Sequence, residues 1–285
     1  MAAKIIEGKK ISEKIISEIK SKIKNLKQKP GLALVLVGNN PASEIYVNFK
    51  EKTCKEVGFK FERFSLDKGI SELALLKLIN DLNKKTNLHG ILVQLPLPKH
   101  INENLIINSI LPQKDVDGFT PLNLGRLISE TTFLAPATAR AVLHLIDSTG
   151  INIEGKNAVV VGRSKIVGKP VAMMLLEKNA TVTICHSKTK NLLEHTKKAD
   201  IIVVAVGKPK LITKEMVKEG AVVIDVGINR INGKVIGDVD FNNVKEVAGY
   251  ITTVPGGVGP MTIAMLMENT LKAMELAEKI HLLIS

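Results

Sequence analysis

The chain has 285 residues, 45% of them apolar, and a formal net charge of +12, enough for one large or two ordinary domains, each with its own core. No apolar run approaches the length that spans a bilayer and residues 1–10 lack the basic-then-apolar order of a signal peptide, so a cytoplasmic protein with no membrane partner is expected. Aromatic residues make up only 3% and the lysines are spread along helical stretches, which argues for a solvated basic surface and against nucleic acid, whose single strands need stacking rings.

Ile11, Ile15, Ile16, Ile19, Ile23 and Leu26 recur at helical spacing between Lys and Glu, which predicts an amphipathic helix that follows directly on the first residues and ends near Pro30-Gly31. Residues 32–37 form a continuous apolar run of strand length, the mark of a central parallel strand. Gly38-Asn39-Asn40-Pro41 then turns the chain, with Asn at an N-cap and Pro in the first turn of a second helix. On that helix Ser43, Tyr46 and Lys50 share one face, while Ile45 and Phe49 occupy a different stripe, suited to the core. Taken alone, Lys50 reads as one more exposed helix lysine. Residues 59–66 alternate as a strand, 71–83 form a third amphipathic helix, and Gly90 opens a strand over 91–94 that Leu95-Pro96-Leu97-Pro98 ends. Gln94 stands at a strand's carboxyl end, where α/β sheets carry their ligand groups; tying down the neighbouring loop explains it equally well. Residues 103–109 read as a helix. Residues 112–118 read as a charged loop in which Asp115 and Asp117 fit a solvated turn.

Helices are predicted over 121–128 and 138–148, with a loop between them. Beyond Gly155, strands over 158–161, 181–184, 201–205 and 221–226 alternate with helical patterns, which implies a parallel, doubly wound sheet. The stretch from Lys156 to Pro170 organises this half. Its apolar run ends in Gly162, and Gly168 follows six residues later, before a helix-like stretch. Such a turn leaves N–H groups unpaired at a helix N-terminus, where they and the helix dipole can hold a phosphate. The spacing is not the three-glycine fingerprint, so the turn alone fits a structural role as well as a cofactor role. The next strand end discriminates. Cys185-His-Ser-Lys-Thr189 holds no carboxylate for a ribose 2′-hydroxyl, whereas Ser187 and Lys188, with Arg163 from the first turn, suit a 2′-phosphate. NADP is therefore expected rather than NAD. Asn232-Gly233 signals a hairpin turn, the glycines at 256, 257 and 259 read alone as a flexible turn, and a last helix over 261–280 need not pack on the domain it follows. Cys54 and Cys185 lie far apart and the six histidines show no paired ligand spacing, so neither a disulfide framework nor a metal site is indicated.

Five segments together resemble the bifunctional 5,10-methylenetetrahydrofolate dehydrogenase/cyclohydrolase family. They are Tyr46-Val-Asn-Phe-Lys50, Gln94-Leu-Pro-Leu-Pro98, Lys114-Asp-Val-Asp-Gly118, Gly162-Arg-Ser-Lys-Ile-Val-Gly-Lys-Pro170 and Pro255-Gly-Gly-Val-Gly-Pro-Met-Thr262. They occur in the family's order over nearly the whole chain. The resemblance implies a two-domain α/β enzyme with a folate cleft between the domains. One would be an N-terminal α/β domain, residues 1–119 completed by the helix at 262–285; the other, residues 120–261, a Rossmann-type doubly wound parallel-sheet domain that binds NADP. It also implies a homodimer acting on tetrahydrofolate derivatives, polyglutamylated in the cell.

By resemblance, Lys50 is the catalytic residue, Tyr46 the ring that stacks on the folate, Gln94 the partner of the lysine and Asp117 a binder of the pterin edge. Ser43 would join Tyr46 and Asp117 in substrate binding, and Pro255, Gly256, Gly257 and Pro260 would belong to a loop that closes on the substrate. Gly162, Arg163, Ser164 and Ser187 would hold the cofactor, with Thr138 and Ile228 touching it. The chain departs from the family in two places: Pro136-Ala-Thr-Ala139, followed by Ala141, stands where the family shows Pro-Cys-Thr-Pro and a later glycine, and Thr253 stands where it often has Pro.

Overall fold

The computed structural model describes residues 2–284, the side chains of Ala42 and of residues 280–284 excepted. The chain forms two compact units, each discontinuous in sequence: Lys14–Ala137 with residues 263–284, and residues 2–13 with Thr138–Thr262. In chain order the elements begin with β1 (Lys4–Ile6), α1 (Gly8–Ile23), β2 (Gly31–Val37), α2 (Pro41–Val57), β3 (Lys60–Leu66), α3 (Glu72–Lys84) and β4 (Gly90–Val93). There follow α4 (Glu103–Asn108), α5 (Pro121–Ile128), α6 (Ala137–Asp147), β5 (Asn157–Val161), α7 (Gly168–Glu177), β6 (Thr181–Cys185) and α8 (Leu192–Thr196). The last are β7 (Ile201–Val204), β8 (Val222–Asp225), β9 (Asn229–Ile231), β10 (Lys234–Ile236), α9 (Phe241–Val244), β11 (Tyr250–Thr252) and α10 (Val258–Ile284).

The first unit is built on a three-stranded parallel sheet of order β3-β2-β4. Its middle strand β2 is buried along its whole length, as a strand covered on both faces must be, and so carries no polar alternation. Leu75, Ile79 and Leu82 of α3 pack with Ala33, Val35 and Ile91 in one core. Two glycines are fixed by close approach: a Cβ on Gly31 would stand 2.1 Å from the Asn87 carbonyl, and one on Gly90 2.7 Å from Val116. Beyond β4, Asp115 makes a parallel bridge to Ile91. That bridge lays the 115–117 segment alongside β4, running in the same direction.

The second unit is built on a six-stranded sheet, β1-β11-β8-β7-β5-β6, with every pair parallel. Strand order reverses at β5, which has β6 on one side and β7 on the other, the topological switch at which such sheets bind ligands. Apolar residues of β5, β7 and β8 and of the packed segments around them fill its core. The Asn232-Gly233 turn joins antiparallel β9 and β10 with both residues at positive φ, 49° and 76°, as a tight twisted hairpin requires.

The predicted helices and strands are present with small shifts of their ends, but three expectations need correction. The chain does not run straight into the first helix: β1 precedes it and pairs with β11, so residues 2–13 belong with the dinucleotide-type sheet and not with residues 14–119. The division falls at 137/138 rather than 119/120, because the Thr120 N–H and the Asn123 amide of α5 both donate to the buried Asp115 carboxylate, at 2.7 and 3.0 Å. Ile45 and Phe49 are not core residues; they are 39% and 55% exposed.

Candidate active site

The face that α2 buries carries Ser43, Val47, Cys54 and Val57, with spacings of four, seven and three residues that mark one helical stripe. Lys50 falls on this stripe, three residues after Val47. It therefore sits half-buried where the helix pattern places an apolar side chain. The helix is started as its sequence suggests: the Asn40 side chain accepts the Ser43 N–H at 3.2 Å and Pro41 opens the first turn.

The Lys50 amine donates to Gln94 Oε1 at 3.0 Å, and Gln94 Nε2 in turn donates to the Leu95 carbonyl at 2.8 Å. The glutamine is thus oriented, with its oxygen toward the amine and its nitrogen toward the loop. Its own N–H donates to the Val35 carbonyl at 2.8 Å, which anchors it to the sheet's carboxyl edge. Gln94 thus ties down the neighbouring loop and accepts the Lys50 hydrogen bond at the same time. The bridge between Ile91 and Asp115 carries Asp117 to the same edge.

Burial lowers the Lys50 pKa from the ordinary lysine value, and the Asp117 carboxylate opposes that shift. Asp117 is pushed up to about 6, first by burial and then by Asp115, while Lys50 holds it down. The two groups thus share one desolvated environment and sense each other's charge. Neither aspartate lies in a solvated turn: Asp115 is 1% exposed and bonded to α5 as described, and Asp117 is half-buried. Asn269 of α10 holds the residue between them, donating from Nδ2 to the carbonyls of Val116 and Ala135 at 2.8 and 2.9 Å. Sequence reading missed Asn269 because 153 residues separate it from Val116; the one signal was a polar residue in the apolar run of the last helix. Tyr46 is half-buried and Ser43 buried on the same face of α2.

In the second unit, Gly162 leaves β5 at φ 135°, and a Cβ there would stand 2.4 Å from the Ala205 carbonyl, so only glycine lets the two strand ends lie this close. The helix end behind it is already satisfied. Ser164 Oγ accepts the N–H groups of Val167 and Gly168 at 3.1 and 3.3 Å, and the Ser164 carbonyl accepts that of Lys169. This corrects the expectation of open N–H groups at the helix N-terminus. Within this turn and helix start, the N–H groups that have no hydrogen-bond partner among the described residues are those of the exposed Arg163 to Ile166. The Ser164 hydroxyl thus faces the start of α7, three residues before its N-cap Val167.

Because β5 and β6 are neighbours in register, with Val161 opposite Cys185, Arg163 and Ser187 leave adjacent strand ends, both exposed. A tight turn holds the second of these ends: the His186 N–H donates to Thr189 Oγ1 at 2.8 Å and the Lys188 N–H to His186 Nδ1 at 3.1 Å. No carboxylate occurs in residues 185–189. A cradle of free N–H groups beside a guanidinium and a hydroxyl fits a dinucleotide that carries a 2′-phosphate. Ile228 is 44% exposed on the loop after β8, and Thr138 is half-buried in the first turn of α6, where Ala137, Ala139 and Ala141 are packed inside.

The 255–260 stretch is pinned at several points. The Gly256 carbonyl accepts the Lys9 N–H at 2.9 Å, the Gly257 N–H donates to the Thr253 carbonyl at 2.9 Å, and a Cβ on Gly8 would stand 2.1 Å from the Gly257 carbonyl. Pro255 is exposed, Gly256 takes φ 106°, and Pro260 already lies in the first turn of α10. The flexible-turn reading of the glycine cluster does not hold. Ser43, Tyr46, Lys50, Gln94 and Asp117 therefore belong to one unit and Gly162, Arg163, Ser164, Ser187, Ile228 and residues 255–260 to the other. Among the described residues no group of His, Cys, Asp and Glu could hold a metal ion, and no helix is long and apolar enough to cross a membrane.

A parallel sheet with a glycine turn at its switch point, joined to an α/β unit bearing a desolvated lysine, defines a dinucleotide-dependent enzyme of the two-unit α/β class. Its particular kind follows from comparison. Residues 6–117 match the model for the catalytic domain of tetrahydrofolate dehydrogenase/cyclohydrolase, and residues 136–278 match the model for the NAD(P)-binding domain of the same enzymes. The chain belongs to the tetrahydrofolate dehydrogenase/cyclohydrolase family. It is 54% identical over 284 residues to the bifunctional protein FolD of Thermodesulfovibrio yellowstonii, covering 98% of this chain and 99% of the relative. Among solved structures it resembles the bifunctional FolD of Campylobacter jejuni, with a TM-score of 0.94, 50% identity and coverage of 96% and 99%. It also resembles the methylenetetrahydrofolate dehydrogenase-cyclohydrolase of Trypanosoma brucei complexed with NADP and an inhibitor, with a TM-score of 0.93, 36% identity and coverage of 97% and 98%.

Proposed function

We propose that the chain oxidises 5,10-methylenetetrahydrofolate to 5,10-methenyltetrahydrofolate with NADP and then hydrolyses the methenyl group to 10-formyltetrahydrofolate, using Lys50 as the base. The observation that carries the hydrolytic half is the Lys50 amine, set on the buried stripe of α2 and tied to Gln94 Oε1 at 3.0 Å. NADP, when bound, accepts the hydride. Oxidation leaves a cation delocalised over the two flanking folate nitrogens, so the protein's task in that step is to orient the substrate. Hydrolysis requires more. Water attacking the methenyl carbon must lose a proton, and a lysine accepts it only in its neutral form. Burial favours that form, Asp117 resists it, and the cationic methenyl group brought beside the amine favours it again. Gln94 receives the amine's hydrogen bond without bringing a negative charge that would restore its proton.

In this reading Asp117 binds the pterin edge, Tyr46 stacks on the ring, Ser43 shapes the pocket beside them, and residues 255–260 close on the substrate. Arg163 and Ser187 take the 2′-phosphate, with Gly162, Ser164, Thr138 and Ile228 shaping the rest of the cofactor site. The enzyme works in the cytoplasm on polyglutamylated folates, as a homodimer; exposed Ile45 and Phe49, on the helix that precedes edge strand β3, suit burial by a second copy.

The test is a stopped reaction of the purified protein with methylenetetrahydrofolate and NADP, following NADPH, the methenyl product and the 10-formyl product together. NADPH with 10-formyl product above the uncatalysed rate is the expected result. Methenyl product that accumulates without hydrolysis would remove the role of Lys50, and equal turnover with NAD would remove the 2′-phosphate site. Lys50→Ala is expected to lower hydrolysis by about 10²–10⁴-fold while retaining measurable dehydrogenase activity.

A further inference from the structure

Two buried carboxylates tie together the loops that follow β7 and β8, and none of the proposed catalytic or binding roles uses them. Asp238, fully buried, accepts the N–H groups of Val206 and Gly207 at 2.8 and 2.9 Å through Oδ2, and the side-chain amide of Asn229 at 2.9 Å through Oδ1. Asp225, at the end of β8, accepts the N–H groups of Gly227, Asp238 and Val239 at 2.9, 3.0 and 2.9 Å. Each carboxylate lies over a glycine of the opposite segment: a Cβ on Gly227 would stand 2.2 Å from the Asp238 carboxyl carbon, and one on Gly237 1.8 Å from Asp225 Oδ2.

The loops so joined leave the carboxyl edge of the sheet. The first follows β7, the strand across the switch point from the Gly162 turn, and each loop exposes one apolar side chain: Val206 is 38% exposed and Ile228 44%. Clamped amides leave these loops little freedom, and exposed aliphatic side chains on a rigid edge suit the flat, partly apolar ring of a dinucleotide.

We propose that Asp238 is a positioning residue for the dinucleotide: its carboxylate locks the 205–208 loop to the 226–229 loop and thereby presents Val206, together with Ile228, as an apolar contact for the bound cofactor. The proposal rests on the NADP reading above. It differs from a merely structural role in what it moves, since a loosened edge raises the dissociation constant and KM for NADP more than it lowers kcat at saturating cofactor.

The experiment is calorimetric titration of the purified full-length protein with NADP alone, for the wild type, Asp238→Ala, Asp238→Asn and Val206→Ala, with hydrogen exchange read at residues 206–207. Asp238→Ala is expected to accelerate exchange at those amides and to weaken NADP binding about tenfold or more. Asp238→Asn, which keeps an oxygen for the two amides, should restore most of the affinity. Val206→Ala changes an exposed residue and folds in any case; about threefold weaker binding is expected from the lost apolar contact. Unchanged affinity in Val206→Ala, or in a folded Asp238→Ala with loosened amides, would overturn the proposal. A wild type that binds no NADP would instead overturn the cofactor reading itself.

Discussion

Lys50 occupies a position at which the periodicity of α2 favours an apolar side chain, and its stability and its chemistry are therefore opposed. A lysine whose pKa falls on folding disfavours the folded state wherever the unfolded chain would keep its proton, which is everywhere below the ordinary lysine value. Lys50→Met is accordingly expected to raise Tm by roughly 2 °C or more while abolishing hydrolysis, a pair of results checked by calorimetry and by the methenyl assay. Asp117 acts on the same amine from the other side. Its anion helps Lys50 to hold a proton, so Asp117→Asn should shift the ascending limb of the hydrolysis pH profile to lower pH and raise KM for the folate about tenfold. An unmoved limb would show that the two side chains do not sense each other. The motifs suggested which residues matter here. They did not reveal their burial, because whether a helix lysine is solvated depends on which stripe the fold covers, and Ile45 and Phe49 pointed to the wrong one.

At the scale of elements, the site depends on a residue far from it in sequence. Asn269 brings two amide hydrogens to the Val116 and Ala135 carbonyls, which in the apolar surroundings of α10 have no water to replace them. Asn269→Ala is expected to cost about 2–4 kcal/mol in urea denaturation, and to impair hydrolysis because the backbone flanking Asp117 loses its anchor. Long amphipathic or continuously apolar stretches such as α1, β2 and α3 were legible because their period alone identifies them. β1 was not. It has three residues, one of them lysine, and becomes a strand only through pairing with β11, which no local pattern announces. The glycine turn after β5 was legible in place but not in detail: Ser164 already accepts the first N–H groups of α7, so the N–H groups left open are those of Arg163 to Ile166, before the helix.

For the whole molecule, the consequence is a chain that passes between its two units three times, within α1, α6 and α10. The alternation of strands and helices made the parallel sheets and their class legible, and the five motifs identified the family. The unit boundaries were less so, since they are set by side chains such as Asp115 and Asn123 rather than by composition. Because the first residues complete the large sheet, removing the chain up to Ile6 is expected to expose the edge of β11, lower Tm by about 5 °C and promote concentration-dependent association, read by calorimetry and light scattering.

Both native thiols are buried, Cys54 on the covered face of α2, where burial pushes its pKa up to about 12, and Cys185 at the end of β6, where burial also raises it. Thiolate is scarce at either position, and alkylating dyes have no ready target in the folded protein. The molecule is thus a natural blank for spectroscopic labelling. A cysteine introduced on an exposed helix surface, for instance in place of Lys22 of α1, would be the one fast-reacting thiol and would carry a probe without any prior removal of the native pair.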